Sequence, residues 1–279
     1  MNKFLALALC GCCGGAAAQT AAPNRMPDGS HDMYVGLGAI AQPRFEGAAG
    51  HRTRALPLLQ VEFSNGLFVS GMSAGWHLSQ RPGLEFGPLL ALQARRDETG
   101  SGGGIGGIPP EQSYAGPPAL AANTTNRLSG MPVIKAHLQG GAFFNVEMGA
   151  GLRLTNSVLV GAGGDGLAWE LGVQRVAADF ASHHRFSVAL GATVVNSAWN
   201  QTFFGVSESD HLRSGNPRYA PGGGVKDVFA AARWNWALSP AWMLSTSVRV
   251  ARLSGDARRS PLAERTTQTT VSTGLAYRF

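Results

Sequence analysis

Charge is scarce in this chain. Of 279 residues, only 14% are Asp, Glu, Lys or Arg, and only 8% are aromatic. Long apolar runs are missing as well. After residue 18 nothing approaches the roughly 18–20 continuous apolar residues of a spanning helix. The nearest stretch, 228–238, is broken by Arg233 and Asn235. A bundle of membrane helices is therefore excluded, while so little charge is unusual for a soluble enzyme. The net charge of +6 contains no run of five like charges. Its Lys and Arg are scattered, where a nucleic-acid protein would gather them on one face. Cysteine occurs three times, at Cys10, Cys12 and Cys13, and nowhere later. The remainder can form no disulfide, thiolate nucleophile or Cys metal site.

Those cysteines fall in a targeting segment. Lys3 supplies a positive start, Leu5 to Leu9 a short apolar core, and Ala16-Ala17-Ala18 a small-residue cleavage site. Residues 1–18 read as a cleaved export signal and 19–32 as a periplasmic tail. A lipoprotein signal with Cys12 acylated is the competing reading. An exported chain without spanning helices can cross a membrane only as a closed β-barrel, the other structure that satisfies every backbone polar group.

What the chain has in abundance is glycine, 38 residues, and alternation. At the end, Val271, Thr273, Leu275, Tyr277 and Phe279 share one face, and Ser272, Gly274, Ala276 and Arg278 the other. This two-residue period marks a strand with one apolar face, suited to lipid outside and a polar lumen within. A strand ending on an aromatic residue resembles the assembly signal of outer-membrane barrels, so Leu275, Tyr277 and Phe279 are candidates for that role. The pattern recurs at 144–155, 169–174, 186–194 and 244–250. Each is of the order of the ten residues a tilted spanning strand needs.

Eleven strands are evident: 33–42, 54–63, 66–79, 84–96, 131–140, 144–155, 165–177, 184–196, 225–238, 241–253 and 266–279. Short turns fall at 64–66, 80–83, 140–143, 179–184 and 239–240. Longer links fall at 43–53, 97–130, 156–164, 197–224 and 254–265. An odd count would put the 43–53 link on the wrong face. Splitting 66–79 near Gly71–Ser73 brings all long loops to one end. The expected fold is thus an all-β antiparallel transmembrane barrel of about 12 strands over residues 33–279, with both termini periplasmic. Trp234, Trp236 and Trp242 flank the 239–240 turn and suit an interfacial aromatic belt. Residues 100–118 are too rich in Gly and Pro to bury an apolar core and read as an extracellular loop. Their Gly-rich run is a poor phosphate cradle, because no helix follows it.

Several stretches resemble the MipA/OmpV family of MltA-interacting outer-membrane proteins. They are Gly36-Leu37-Gly38 with 43–47 and Pro57, then 203–206 with Tyr219 and 222–224. The last are 252–256 with Ser260-Pro261, and the 276–279 end. The family's pattern has Tyr where this chain has Phe45. The resemblance implies a barrel that scaffolds cell-wall machinery, holding a lytic transglycosylase together with a peptidoglycan synthase. It implies no catalytic residues.

The residues themselves offer little chemistry. Gly71-Met72-Ser73-Ala74-Gly75 fits G-x-S-x-G, which needs a strand–turn–helix that is not foreseen here. Ser73 and His77 would share a face, yet four residues along a strand span roughly 13 Å, beyond hydrogen-bond reach. A His from a neighbouring strand could serve instead, which leaves an outer-membrane esterase as the least favoured reading. His183-His184 is a turn pair and no metal site by itself. Asp256 and Ser260 read as loop-ordering residues. No catalytic, metal or cofactor-binding residue is expected.

Alternation places Glu85, Arg95, Lys135, Glu147, Arg153, Glu170, Asp227, Arg233, Arg249 and Arg278 in the lumen. Paired, they would plug it; left wet, they would line a narrow channel for small solutes. The partners implied are outer-membrane lipid and lipopolysaccharide, the barrel-assembly machinery, the transglycosylase and the synthase, and no nucleic acid.

Overall fold

The computed structural model describes residues 33–79, 81–102, 127–181 and 183–279. The expected export signal and tail lie outside these residues, as do 103–118 of the expected loop, Gln80 and Ser182.

In chain order the strands are β1 (Tyr34–Pro43), β2 (His51–Glu62), β3 (Leu67–Ser70), β4 (Ser73–Trp76), β5 (Leu84–Gln93), β6 (Arg96–Asp97), β7 (Gly100–Ser101), β8 (His137–Gly149), β9 (Leu152–Gly161), β10 (Leu167–Ala181), β11 (His184–Val195), β12 (Gly224–Ala237), β13 (Trp242–Leu253) and β14 (Thr267–Arg278). All but the β6–β7 hairpin form one closed antiparallel barrel of twelve strands. β14 closes on β1 from Tyr34↔Arg278 to Ala41↔Val271, and β5 pairs directly with β8. Closure pairs β1 with β14, so neither terminal strand is left as a free edge. Among the described residues three α-helices interrupt the links: α1 (Ser197–Phe204), α2 (Glu208–Ser214) and α3 (Gly255–Arg259). No helix among the described residues is long and apolar enough to cross a membrane.

Alternation sets the two surfaces. Leu37, Leu138 and Leu190 are 61–72% exposed on the outside, whereas Ala276 on the inner face of β14 is fully buried. Such a girdle of bare Leu, Val and aromatic side chains exceeds what a soluble surface carries and matches a hydrocarbon-facing wall. Inside, small residues let neighbouring strands and side chains approach. A Cβ on Gly36 would collide with the Leu275 carbonyl, and one on Gly274 with Leu58.

The split of 66–79 is real. Gly71 and Met72 form the tip of the β3–β4 hairpin, with Gly71 at φ 55°. The segments expected at 131–140 and 144–155, with a turn at 140–143, are instead the strands β8 and β9. The chain turns at Ala150-Gly151, flanked by β8 residue Gly149; all three have positive φ, 82°, 51° and 72° in order. Gly140 and Gly141 stay extended, and Gly141 is needed where β8 approaches the Val158 carbonyl of β9. Consequently the link expected at 156–164 shrinks to 162–166.

The two ends of the barrel differ. One carries both described termini and the described residues of the short connections, 63–66, 77–79 and 81–83, 150–151, His183 and 238–241. The other carries 44–50, 94–102 and 127–136, 162–166, 196–223 and 254–266. Segments of these longer links pack on one another as a cap. Its apolar clusters join Trp199, Phe203, Phe204 and Ala257 to Ile134 and Leu253, and Phe45, Leu128, Met131, Val206 and Leu262 to one another. The most deeply buried large side chains, Phe204, Leu128, Leu262 and Asn200, all belong to the cap. The main apolar core therefore closes one mouth of the barrel.

Candidate functional site: a charged chamber beneath the cap

Polar side chains tie the cap loops together. Asn196 caps α1, accepting from Trp199 N and Leu167 N at 2.9 Å each. Ser207 and Asp210 make a reciprocal capping box at α2, which ends at Gly215 in the left-handed region. The Asp256 carboxylate accepts from Gly222 N at 2.5 Å and from Arg259. Its backbone carbonyl accepts from the Tyr219 hydroxyl at 2.8 Å. Buried Ser260 donates to the Phe204 carbonyl at 2.7 Å and accepts from Leu262 N at 3.1 Å. Residues 197–224, read from the sequence as a polar link, contain two helices. Their signals were present: Asn196 ahead of α1, and Ser207 three residues before Asp210.

Under the cap lies a cavity of about 280 Å³. A β-bulge creates its charged floor. Between β11 and β12 the register jumps from Thr193↔Asp227 to Val194↔Val225, so Lys226 opposes no residue. Lys226 and Asp227 are consequently both buried, although adjacent strand residues normally face apart. Lys226 Nζ lies 2.6 Å from Glu46 and 3.0 Å from Asp227, and 4.8 Å from the centre of the Trp199 ring. Asp227 also accepts from Thr193 at 3.1 Å. Arg249 reaches from β13 to Glu170 on β10, 3.1 Å away, crossing 3.5 Å above the centre of Phe229.

Arg96 enters from the β6–β7 hairpin. It donates to the Phe203 carbonyl at 2.5 Å and the Thr202 carbonyl at 3.3 Å, and so fastens the hairpin to α1 within the cap. Burial pulls its guanidinium down to about 10, with Glu46 acting the other way. It therefore stays charged at neutral pH.

Six of the ten expected lumen charges fall into three groups. Glu170, Asp227 and Arg249 meet in the chamber. Glu85 and Arg153 pair lower in the barrel, where Glu85 also accepts from Asn145 at 3.1 Å. Arg233 is half-buried on β12, opposite Ser187 and Ser247. The others stand elsewhere. Arg95 is exposed and pairs with Asp97 at 3.1 Å, because β5 ends at Gln93 and the alternation stops there. Lys135 precedes β8 and is exposed. Glu147 and Arg278 keep the inward phase but lie exposed at strand ends beside the short turns. The sequence reading did not include Glu46, Arg96 and Lys226. Glu46 and Arg96 sit in links, and Lys226 is out of phase until the bulge is known.

At the terminal end, Trp234 and Trp236 stack with His184 at 5.7 and 5.2 Å, and Trp234 Nε1 donates to His184 Nδ1 at 3.2 Å. Trp242 meets Tyr277 edge-on at 5.2 Å. Leu275, Tyr277 and Phe279 are 40–48% exposed on the outer face. Ser73 donates to the Ser70 carbonyl at 2.9 Å within the β3–β4 hairpin, and strand β4 follows it. His77 lies between Phe68 and Phe143, 3.8 Å from Glu62. Among the described residues no group of His, Cys, Asp and Glu could hold a metal ion.

The family model described as MltA-interacting protein MipA matches residues 35–279. No curated protein matches the chain. Among solved structures, the chain is similar to the KdgM porin in complex with disordered oligogalacturonate, at 11% identity and a TM-score of 0.44, covering 88% of this chain and 99% of that one. It is similar to the NanC porin at 8% identity and 0.44, covering 88% and 100%. It is also similar to OprB of Pseudomonas putida at 12% identity and 0.36, covering 77% and 50%.

Proposed function

From the premise that this chain belongs to the MltA-interacting protein MipA family, we propose that it is a non-enzymatic scaffold of the outer membrane. On this reading a cleaved leader over residues 1–18 exports it, and the barrel-assembly machinery inserts it with the terminal strand as signal. The termini and short turns then face the periplasm, among lipid and beneath lipopolysaccharide. There they hold a lytic transglycosylase beside a peptidoglycan synthase. The observation that supports a scaffold best is the capped chamber. Its charges are matched to one another under a packed apolar cap, an arrangement suited to a rigid plug.

The test is purification of the tagged protein from cross-linked envelopes. A lytic transglycosylase and a peptidoglycan synthase should be enriched over an unrelated barrel. The enrichment should disappear when 63–66 and 238–241 are exchanged for neutral turns of equal length. Equal recovery with the unrelated barrel would refute the scaffold.

A second reading, a narrow channel for small solutes, draws on the cavity itself and on the small residues of the lower lumen. An esterase is the weakest reading: the Ser73 hydroxyl is committed to a turn carbonyl, and no helix follows it as the nucleophile elbow requires.

A further inference from the structure

Between the chamber and the end that carries the termini, the lumen is open to water. Ser187, Arg233, Asn235, Ser245, Ser247 and Ser272 all have the inward phase, yet each stays part-exposed. The charges of this wet cup are sorted by wall. In the closed ring of strands, β9 to β14 form one contiguous half, and β1 to β5 with β8 form the other. Toward the terminal end, the inward charges among the described side chains of the first half are all arginine: Arg153, Arg185, Arg233 and Arg278. Those of the second half are all glutamate: Glu62, Glu85 and Glu147. Arg153 stands at the border and pairs with Glu85, and His77, just past β4, lies 3.8 Å from Glu62. Neither contact moves a charge to the other half. β8 and β14 are diametrically placed in the ring, which sets Glu147 and Arg278, both exposed, on opposite walls of the mouth.

Opposite signs on facing walls put a field across the cup. A solute of one sign gains on one wall and loses on the other, whereas a solute with two separated charges gains on both. The halves also differ in hydrogen bonding. On the arginine half the paired rows run Arg185, Asn235, Ser245 and Ser187, Arg233, Ser247, Ser272. Ser245 donates to Asn235 at 2.7 Å, and the Ser247 and Ser272 hydroxyls lie 2.7 Å apart. Guanidinium groups set among hydroxyls suit a carboxylate, while the glutamates can only accept, as an ammonium requires. A free amino acid carries both charges on one Cα. A short extended peptide separates them at roughly 3.3–3.6 Å per residue, and its peptide groups suit the Ser and Asn lining. We infer that the cup binds a short peptide with free termini, its carboxylate on the arginine half and its ammonium on the glutamate half. This holds whether the barrel is a scaffold or a channel.

The experiment is titration calorimetry on the full-length, detergent-purified protein with trialanine, N-acetyl-trialanine and trialanine amide. Trialanine should bind saturably, and blocking either end should weaken it about tenfold. Arg185→Gln should shrink the loss caused by amidation and leave the loss caused by acetylation. Glu147→Gln should do the reverse. Both residues are exposed, so the heat-dependent gel shift of the folded barrel should be unchanged in each variant. Absence of saturable trialanine binding, equal binding of the three peptides, or losses unmoved in both variants would overturn the assignment. So would tighter binding of the acetylated peptide, the mark of a plain anion site.

Discussion

At the scale of single residues, alternation carries most of the information and fails at definable points. Leu275 and Ala276 adjoin in sequence, yet one is 40% exposed and the other fully buried, as a two-residue period demands. Arg95 and Arg96 adjoin as well, and there the parity rule misplaces the charge because β5 has already ended. Lys226 is hidden from the rule by one extra residue in β12. The cap obeys a different logic, in which each buried polar atom needs a named partner. Ser260 shows its strength: the side chain is buried and serves the Phe204 carbonyl and Leu262 N together. Ser260→Ala strands both groups, and should destabilise the folded protein by roughly 1–3 kcal/mol. Urea unfolding in detergent, followed by Trp fluorescence, measures this. Ser260→Cys, with a weak donor of similar size, should fall in between.

At the scale of elements, strand number and the sharing of one end by all long links were legible, because each depends on parity. The position of the β8–β9 turn was not. Two glycine pairs compete for it, and the choice rests on Gly141 fitting against β9, a contact remote in sequence. The short β3–β4 hairpin is likewise a tertiary solution. Gly71 N donates to Leu59 on β2, and Leu92 N on β5 donates to Met72. β2 continues past the hairpin tip, and Pro57, two residues beyond Leu59, has no N–H to leave unpaired at that edge. The cap helices are short, and their stability comes from packing rather than propensity. Asp256 links α3 to the 222–224 segment. The Gly222 N–H, then Arg259, hold its carboxyl below its ordinary 3.8, so the folded state binds this proton less readily than the unfolded chain. Its contribution is present above the ordinary value and is lost as pH falls through the depressed one. Amide exchange in 197–223 should therefore accelerate relative to the barrel strands as pH is lowered from 5 toward 3, after correction for intrinsic rates. Asp256→Asn should remove most of that pH dependence. An unchanged profile in the variant would show that another carboxylate governs the cap.

At the scale of the whole molecule, the same chain solves two problems of solvation with opposite rules. The wall puts its apolar side chains outward and keeps polar ones within. The cap, outside the hydrocarbon layer, buries Phe204, Leu128 and Leu262 as a soluble domain does. Where they meet, the charges that neither lipid nor an apolar core tolerates alone neutralise one another, Lys226 against Glu46 and Asp227, and Arg249 against Glu170. Removing one member of the buried Lys226–Asp227 pair costs about 3–5 kcal/mol, so the junction resists rearrangement and should keep the lumen shut to ion flow. In planar bilayers the intact protein should give no stable conductance steps. Replacing 197–222 by a short Gly-Ser link takes away Trp199 and Phe203 and leaves Arg96 without its carbonyl acceptors, so stable steps should appear in that variant. Steady current through the intact protein, unaltered by the replacement, would place the conducting path away from the cap and favour the channel over the scaffold.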